Sequence, residues 1–382
     1  MSHPDVVVVG AGIVGAACAE ALSAAGLRVL VLDRGPLASG TTAAGEGNVL
    51  VSDKEPGPEL ALAQASRLHW PRLLDRLADE VGVDVEWEEK GGLVVAITPD
   101  AAEPLRRFAA GQRAAGVDAC ELTPAEALVL EPHLNPAVAT AVHYLQDAQL
   151  NPVLAATTLL AVVRKRGGET IPGVMVSDVD GADRVTGVRT SQGRIPCHAV
   201  VNACGPWAGS FTAKARLNIL PRRGLVLVTA PLPVVVRHKV YDADYVGAVA
   251  GDDADLRTSG VVESTRAGTV LIGSSRQRVG FTEQFEVPVL RALARKAVAL
   301  FPVLASVPVM RAYGGFRPYA PDHLPVIGED PRLPGLWHAT GHEGAGIGLA
   351  AATGRLIAEL LTGQRPHLDP TPFRGDRPGV PA

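Results

Sequence analysis

Val6 to Val9 is a run of four β-branched residues with no polar break, the pattern of a short strand buried on both faces. A Gly/Ala turn follows. The Ala-rich stretch 16–25 then favours helix, with Gly26 where a C-cap is expected. Residues 27–32 (LRVLVL) read as a second buried strand, ending at Asp33. Further on, Leu62, Leu73, Leu74, Leu77 and Val81 lie near helical spacing and predict a helix over 59–81. The pattern then predicts a strand at 92–97, a helix at 100–115 and a short helix at 123–130, with Thr123 as N-cap and Pro124 in its first position. A helix over 152–167, strands at 185–190 and 194–202, and strands of a second sheet at 224–230 and 269–274 come next. Helices at 286–301 and 346–362 complete the elements. The Pro-rich tail from Gln364 to Ala382 reads as extended, and it must dock on the body to be ordered.

The 382 residues suggest two domains, at roughly 150 residues each. With 47% apolar residues a large core is available, which excludes wholesale disorder. Lys plus Arg (36) nearly balances Asp plus Glu (40), and there is no basic run, so a nucleic-acid-binding role has no electrostatic footprint. Cys18, Cys120, Cys197 and Cys204 form no C-x-x-C pair, which argues against a disulfide framework, a zinc site or an iron–sulfur cluster held by this chain. No stretch reaches the ~18 uninterrupted apolar residues of a transmembrane span. The N-terminus, with Asp5 and no basic leader, is not expected to be a signal peptide. A soluble cytoplasmic protein is the expectation.

Between the first two strands lies Gly10-Ala11-Gly12-Ile13-Val14-Gly15. Gly10 permits the tight turn, Gly12 lets a pyrophosphate approach the backbone, and Gly15 lets helix pack on strand. The unpaired N–H groups of the helix start attract phosphate, and Asp33 can accept hydrogen bonds from a ribose. Strand, glycine turn, helix, strand and acid together predict a dinucleotide site. The pattern alone leaves NAD and FAD both open.

Four further segments resemble the FAD-dependent amino acid and amine oxidoreductases, the family of D-amino acid oxidase, glycine oxidase and sarcosine oxidase, over essentially the whole chain. The loop Ser39 to Val49 resembles the one that wraps the pyrophosphate and flavin, which implies roles for Arg34, Thr41, Thr42, Gly47, Asn48 and Val49. Residues 200–208 (VVNACGPWA) resemble the strand end under the adenine half, with Ala203, Gly205 and Trp207 as contacts and Val174 as a further backbone contact on the strand after the 152–167 helix. In Gly314-Gly315-Phe316-Arg317-Pro318 the resemblance makes Arg317 the anchor of a substrate carboxylate, a bidentate charge-assisted role suited to guanidinium. Finally, Gly341-His342-Glu343-Gly344-Ala345-Gly346-Ile347 resembles the glycine turn and helix start that close on the flavin. There a helix N-terminus would stabilise the anionic reduced flavin. His342 is a candidate acid/base or an orienting group.

Within the family, His238 to Tyr241 and Val261 to Arg276 resemble the β-subunits of heteromeric dehydrogenases for D-hydroxyproline, opines and sarcosine-type amines. That likeness implies a partner subunit carrying a second flavin or iron–sulfur centre. No cysteine follows Cys204, so non-covalent FAD is expected. The sarcosine oxidases use a lysine near the flavin to activate oxygen. Apart from Lys296 there is no lysine after Lys239, which favours an acceptor other than oxygen. Tyr241, Tyr245 and Glu263 are candidates to grip the substrate nitrogen. The expected activity is hydride transfer to FAD from a small amino or imino acid, best D-hydroxyproline-like. The alternatives are a self-sufficient oxidase and a non-catalytic relay subunit. The expected fold is α/β: a Rossmann-like FAD-binding domain from residues 1–85, 148–215 and 322–382, and an antiparallel-sheet substrate domain from 86–147 and 216–321.

Overall fold

Residues 3–245 and 255–382 are described by the computed structural model, so residues 1–2 and 246–254 lie outside the description, the first inside the expected 1–85 segment and the second inside 216–321. The glycine-turn unit folds as its pattern predicts. Val6–Val9 and Val29–Asp33 pair in parallel, joined by the helix Ile13–Ala24. Around them a six-stranded sheet runs in the spatial order Val326–Glu329, Leu336–Thr340, Ala199–Asn202, Val6–Val9, Val29–Asp33, Glu169–Pro172. Only the edge strand Val326–Glu329 is antiparallel. The central strands Val6–Val9 and Ala199–Asn202 are Val-rich and buried along their whole length, as in a covered parallel sheet, whereas the edge strand Glu169–Pro172 is partly exposed.

The helix Gly346–Leu361 packs against Ile13–Ala24 at very short range. A Cβ on Gly354 would collide with the Ala17 carbonyl, so glycine is what permits the approach. The segment Glu343–Leu361 is long and apolar enough to cross a membrane, but 67% of that stretch is buried inside the fold. Its apolar character therefore serves the core.

A second sheet of eight strands stands beside the first, in the order Val309–Tyr319, Leu220–Thr229, Val270–Arg276, Arg257–Ser264, Lys239–Asp242, Gly92–Ala96, Thr140–Tyr144, Ala119–Leu122. It is antiparallel except where Lys239–Asp242 runs parallel to Gly92–Ala96. The amphipathic helix Val287–Leu300 covers one face through Leu293, Ala297 and Leu300.

Three local expectations need correction. The single strand expected over 194–202 is two: Gly193–Pro196 belongs to a small antiparallel meander, and the chain crosses to the large sheet before Ala199–Asn202. The Asp5 carbonyl, which accepts from both His198 and Ala199, marks the crossing. Val174 lies beyond the strand Glu169–Pro172, in the turn after Gly173. The tail is not simply extended. It carries a short 3-10 turn at Thr371–Phe373, buries Phe373 and Val380, and is pinned by Arg377 on Asp322 (2.5 Å). The capped helix Pro124–Leu130 has its Thr123–Glu126 capping box in place.

Candidate active site

A cavity of about 590 Å³ opens where the two sheets meet. Its floor is the glycine turn. Gly10 has φ +109° and backs onto the Ala203 carbonyl, so neither an ordinary φ nor a Cβ is tolerated there. A Cβ on Gly12 would sit 3.0 Å from the Thr42 hydroxyl, in the space a pyrophosphate needs. The helix Ile13–Ala24 has no side-chain cap at Gly12, and Gly12, Ile13, Val14 and Gly15 all face the cavity. Its positive end is therefore open to an anion. The Asp33 carboxylate is held by the N–H groups of Ala11 (2.8 Å) and Gly35 (2.8 Å), which leaves lone pairs for a ribose.

The loop after Asp33 is clamped from two sides. Thr42 accepts from the Ile13 N–H (2.9 Å), and Thr41 donates to the Phe316 carbonyl (2.7 Å). Ala203, Gly205 and Trp207 line the same cavity, as do Arg34, Asn48 and Val174. The Arg34 guanidinium lies 4.0 Å from the Trp207 ring centre. The Val174 N–H is already bonded to the Asp33 carbonyl, so only its carbonyl is left for a ligand. Cys204 lines the wall as a neutral thiol, its pKa pushed up to about 12 by burial.

Opposite stands the start of the last helix. His342, Glu343, Gly344, Ala345, Gly346 and Ile347 all face the cavity. His342 bonds Thr353 through Nε2 (3.0 Å), and its Nδ1 is buried without a partner. Burial drives its pKa down to about 3, so it is neutral at physiological pH. Burial alone would raise the Glu343 pKa, but His323 and the Arg222 and Arg276 charges hold it at about 2.

Arg317 points into the cavity from the strand Val309–Tyr319. Its Nη1 donates to the Ser275 carbonyl (2.8 Å), and its guanidinium lies over Gly224, where any Cβ would strike it. Burial, and then the neighbouring Arg276 charge, pull its pKa down to about 10, which still leaves it charged. Tyr245 lines the cavity too.

Five expected contacts do not reach the cavity. Gly47 has φ +96° and faces the Leu150 carbonyl, so it serves the chain's turn. Val49 points into the core, and Gly341 (φ +77°) turns behind the wall toward Ile219 and Ala320. Tyr241 is fully buried, donates to Ser52 (2.7 Å), and lies behind Tyr245. Ser52 in turn bonds Asp147, so Tyr241 belongs to a network that fixes the segment after the loop. Glu263 is likewise buried, against Lys239, and lines neither this cavity nor its neighbour.

Four charged groups at the site carried no signal in the one-dimensional reading. Glu46 faces the cavity with Oε1 unpartnered. Asp53 and Lys54 line it, with Lys54 bonded to Asp53 (2.7 Å) and near Glu59 (3.7 Å). Arg276 lines a second cavity, of about 350 Å³, that shares Tyr245, Lys54, His342 and Gly344 with the first.

With the geometry in place, the chain can be set beside known proteins. The profile of the family described as FAD dependent oxidoreductase (DAO) matches residues 5–360. The glycine oxidase of Pseudomonas aeruginosa is 32% identical over 374 residues, covering 96% of this chain and 97% of that one. The hydrogen cyanide synthase subunit HcnC of the same organism is 27% identical, over 98% and 96% of the two chains. The crystal structure of glycine oxidase from Geobacillus kaustophilus superposes with a TM-score of 0.89 at 27% identity, covering 98% and 99% of the chains.

Proposed function

The chain belongs to the FAD-dependent oxidoreductase family, and on that footing we propose that it oxidises the Cα–N bond of a small amino or imino acid with oxygen as the electron acceptor. The coarser statement, an FAD-dependent enzyme acting on amines or amino acids, is established by family membership. Bound FAD supplies a two-electron acceptor for the hydride on Cα.

The residues present fit that cofactor: a glycine cradle, a helix start capped only at the Ile13 N–H by Thr42 and an acid at the strand end at one side of the cavity, and the start of a second helix at the other. Gly10, Gly12, Ile13, Val14, Gly15, Asp33 and Thr42 would hold the adenosine and pyrophosphate. Residues 342–347 would present backbone N–H groups to the flavin. No thiolate is available in the wall, in keeping with non-covalent attachment. In this reading the FAD-binding part is residues 1–85, 148–215 and 322–382, and the substrate part is 86–147 and 216–321. The strands of the two large sheets fall on either side of those limits.

The observation that carries the proposal is Arg317. It is a guanidinium inside a cavity, bonded to a backbone carbonyl and, among the described residues, to no carboxylate. A substrate carboxylate satisfies it, and bidentate pairing fixes the direction of the Cα–H bond. Tyr245 and His342 form walls that keep water out. His342, being neutral, serves as an orienting group.

Oxygen is chosen over a protein acceptor for two reasons. Relatives named glycine oxidase match nearly the full length. The lysine missing from the second half of the chain loses its force, because Lys54 stands in the cavity wall, held charged by Asp53 and Glu59. A second reading, a dehydrogenase working with a partner subunit, is supported by the match to a hydrogen cyanide synthase subunit.

Anaerobic titration of the purified holoprotein with glycine, sarcosine, D-alanine, L-proline and D-hydroxyproline, followed by air, tests the proposal. Bleaching of the visible flavin band with rapid recolouring and hydrogen peroxide release is the expected result. Bleaching with slow recolouring moves the protein to the dehydrogenase reading. A band unmoved by every amine removes both.

A further inference from the structure

Several charges around the two cavities are matched within the chain. Lys54 is paired with Asp53 and Glu59, Glu343 with Arg222 and His323, and Asp322 with Arg377. Three are not. Among the described residues neither Arg276 nor Arg317 has a carboxylate within ion-pair distance, and Glu46 has no cation there.

These three groups converge on one strand, Val270–Arg276. Glu46 Oε1 faces Gly273, Arg317 Nη1 holds the Ser275 carbonyl, and Arg276 is the strand's last residue. At ~3.3 Å per residue the three charges are strung along about 10 Å of chain. Arg276 is nine-tenths or more buried, packs 4.6 Å from the Tyr245 ring centre, and leaves its Nε without a partner. Tyr245 lines both cavities, and Gly344, which approaches Arg317 Nε, lines both as well. One molecule can therefore reach both guanidiniums. Two like charges buried side by side cost stability unless an anion joins them. Burial first, and then the Arg276 charge, depress the basicity of Arg317.

We propose that the preferred substrate carries one amine and two carboxylates: Arg317 holds the carboxylate next to the reacting carbon, Arg276 holds the second, and Glu46 faces the nitrogen. The inference rests on the amine-oxidising reading above and narrows its substrate to amino dicarboxylic acids. An acidic amino acid and an N-carboxyalkyl amino acid share this chemistry, differing in whether the amine is primary or secondary. Glu46 also explains what Tyr241 and Glu263 cannot do, since neither lines a cavity.

Two measurements on the holoprotein test it. Calorimetric titration with unreactive acids compares acetate with succinate and glutarate. The dicarboxylates should bind at least about tenfold tighter, the equivalent of one additional charge-assisted pair. Arg276→Gln should bring that ratio close to one, and Arg276→Lys should keep part of it. A normal flavin band certifies that each variant is folded. Equal affinities in the unmodified protein, or a preference that survives Arg276→Gln, overturns the inference.

Anaerobic bleaching then compares aspartate and glutamate (both enantiomers) and iminodiacetate with glycine and sarcosine. A dicarboxylic amine should half-saturate at a concentration at least about tenfold lower. Iminodiacetate ahead of the primary amines points to an N-carboxyalkyl substrate, and the reverse to an acidic amino acid. Bleaching by monocarboxylic amines alone sinks the second-carboxylate site and leaves the amine-oxidising reading intact. Tight dicarboxylate binding with no bleaching by any amine does the opposite.

Discussion

Arg317 lies over the backbone of Gly224, its diagonal neighbour on the paired strand, and the space a Cβ would need at position 224 is filled by the guanidinium. A residue 93 positions earlier thus sets where the carboxylate anchor points. Gly224→Ala should push the guanidinium off the Ser275 carbonyl. The half-saturating substrate concentration should rise by roughly tenfold or more, and Arg317→Ala should cost about 2–3 kcal/mol of substrate binding. Steady-state kinetics beside the flavin-to-protein absorbance ratio checks both. An unchanged KM in either variant removes Arg317 as the anchor.

Gly12 faces the hydroxyl of Thr42 across the space assigned to the pyrophosphate. Gly12→Val places a branched side chain in that space, and the protein should purify colourless. Thr42→Ala is milder. It removes the acceptor of the Ile13 N–H and should cost about 1 kcal/mol, with FAD retained. A yellow Gly12→Val protein would falsify the placement of the cofactor.

Glu343 stabilises the fold through Arg222 and His323, and its folded pKa lies near 2 against an ordinary 4.5. The sign follows from linkage: a depressed acid adds stability above its unfolded pKa and loses it as pH falls toward the folded one. The contribution, about 3 kcal/mol at neutral pH, should therefore be complete above pH ~4.5 and fade from there down to pH ~2. Urea midpoints of the unmodified protein and Glu343→Gln should differ most near pH 6, with less than half of that gap remaining near pH 3. A gap independent of pH contradicts the assignment.

His342 is held neutral by burial, with a pKa near 3. It therefore contributes no inflection between pH 5 and 8. His342→Asn should change the height of the kcat/KM profile and leave its shape. Loss of a limb near pH 6.5 in the variant would make the histidine a titrating catalytic acid.

The cofactor half of the site is legible along the chain because it is local. Gly10, Gly12 and Gly15 are spaced by the turn they make, Asp33 ends the strand that follows, and residues 342–347 start a helix that the apolar pattern of 346–361 announces. Gly47, Val49 and Gly341 are chain neighbours of the wall residues Glu46, Asn48 and His342 without lining the wall themselves. In an irregular loop, neighbours in sequence face opposite ways, as Gly47 toward Leu150 and Asn48 toward the cavity show. Tyr241 and Tyr245 illustrate the same limit: four residues apart, with rings 4.9 Å from each other, one lies behind the other.

By itself the sequence determined the dinucleotide unit and the alternation of strands and helices that builds the parallel sheet, while the arginine segment within Val309–Tyr319 is marked only by its resemblance to the family. Those features depend on backbone conformation and on hydrophobic period, and both are written in neighbouring residues. Only the tertiary structure decided which charges remain unmatched. Lys54, 222 residues before Arg276, is neutralised by Asp53 and Glu59, whereas, among the described residues, Arg276 and Arg317 come from two strands with no carboxylate within ion-pair distance of either. The substrate end of the site is a sum of charges over chain-remote groups. Coulomb interaction depends on distance in space, which no spacing along the sequence records.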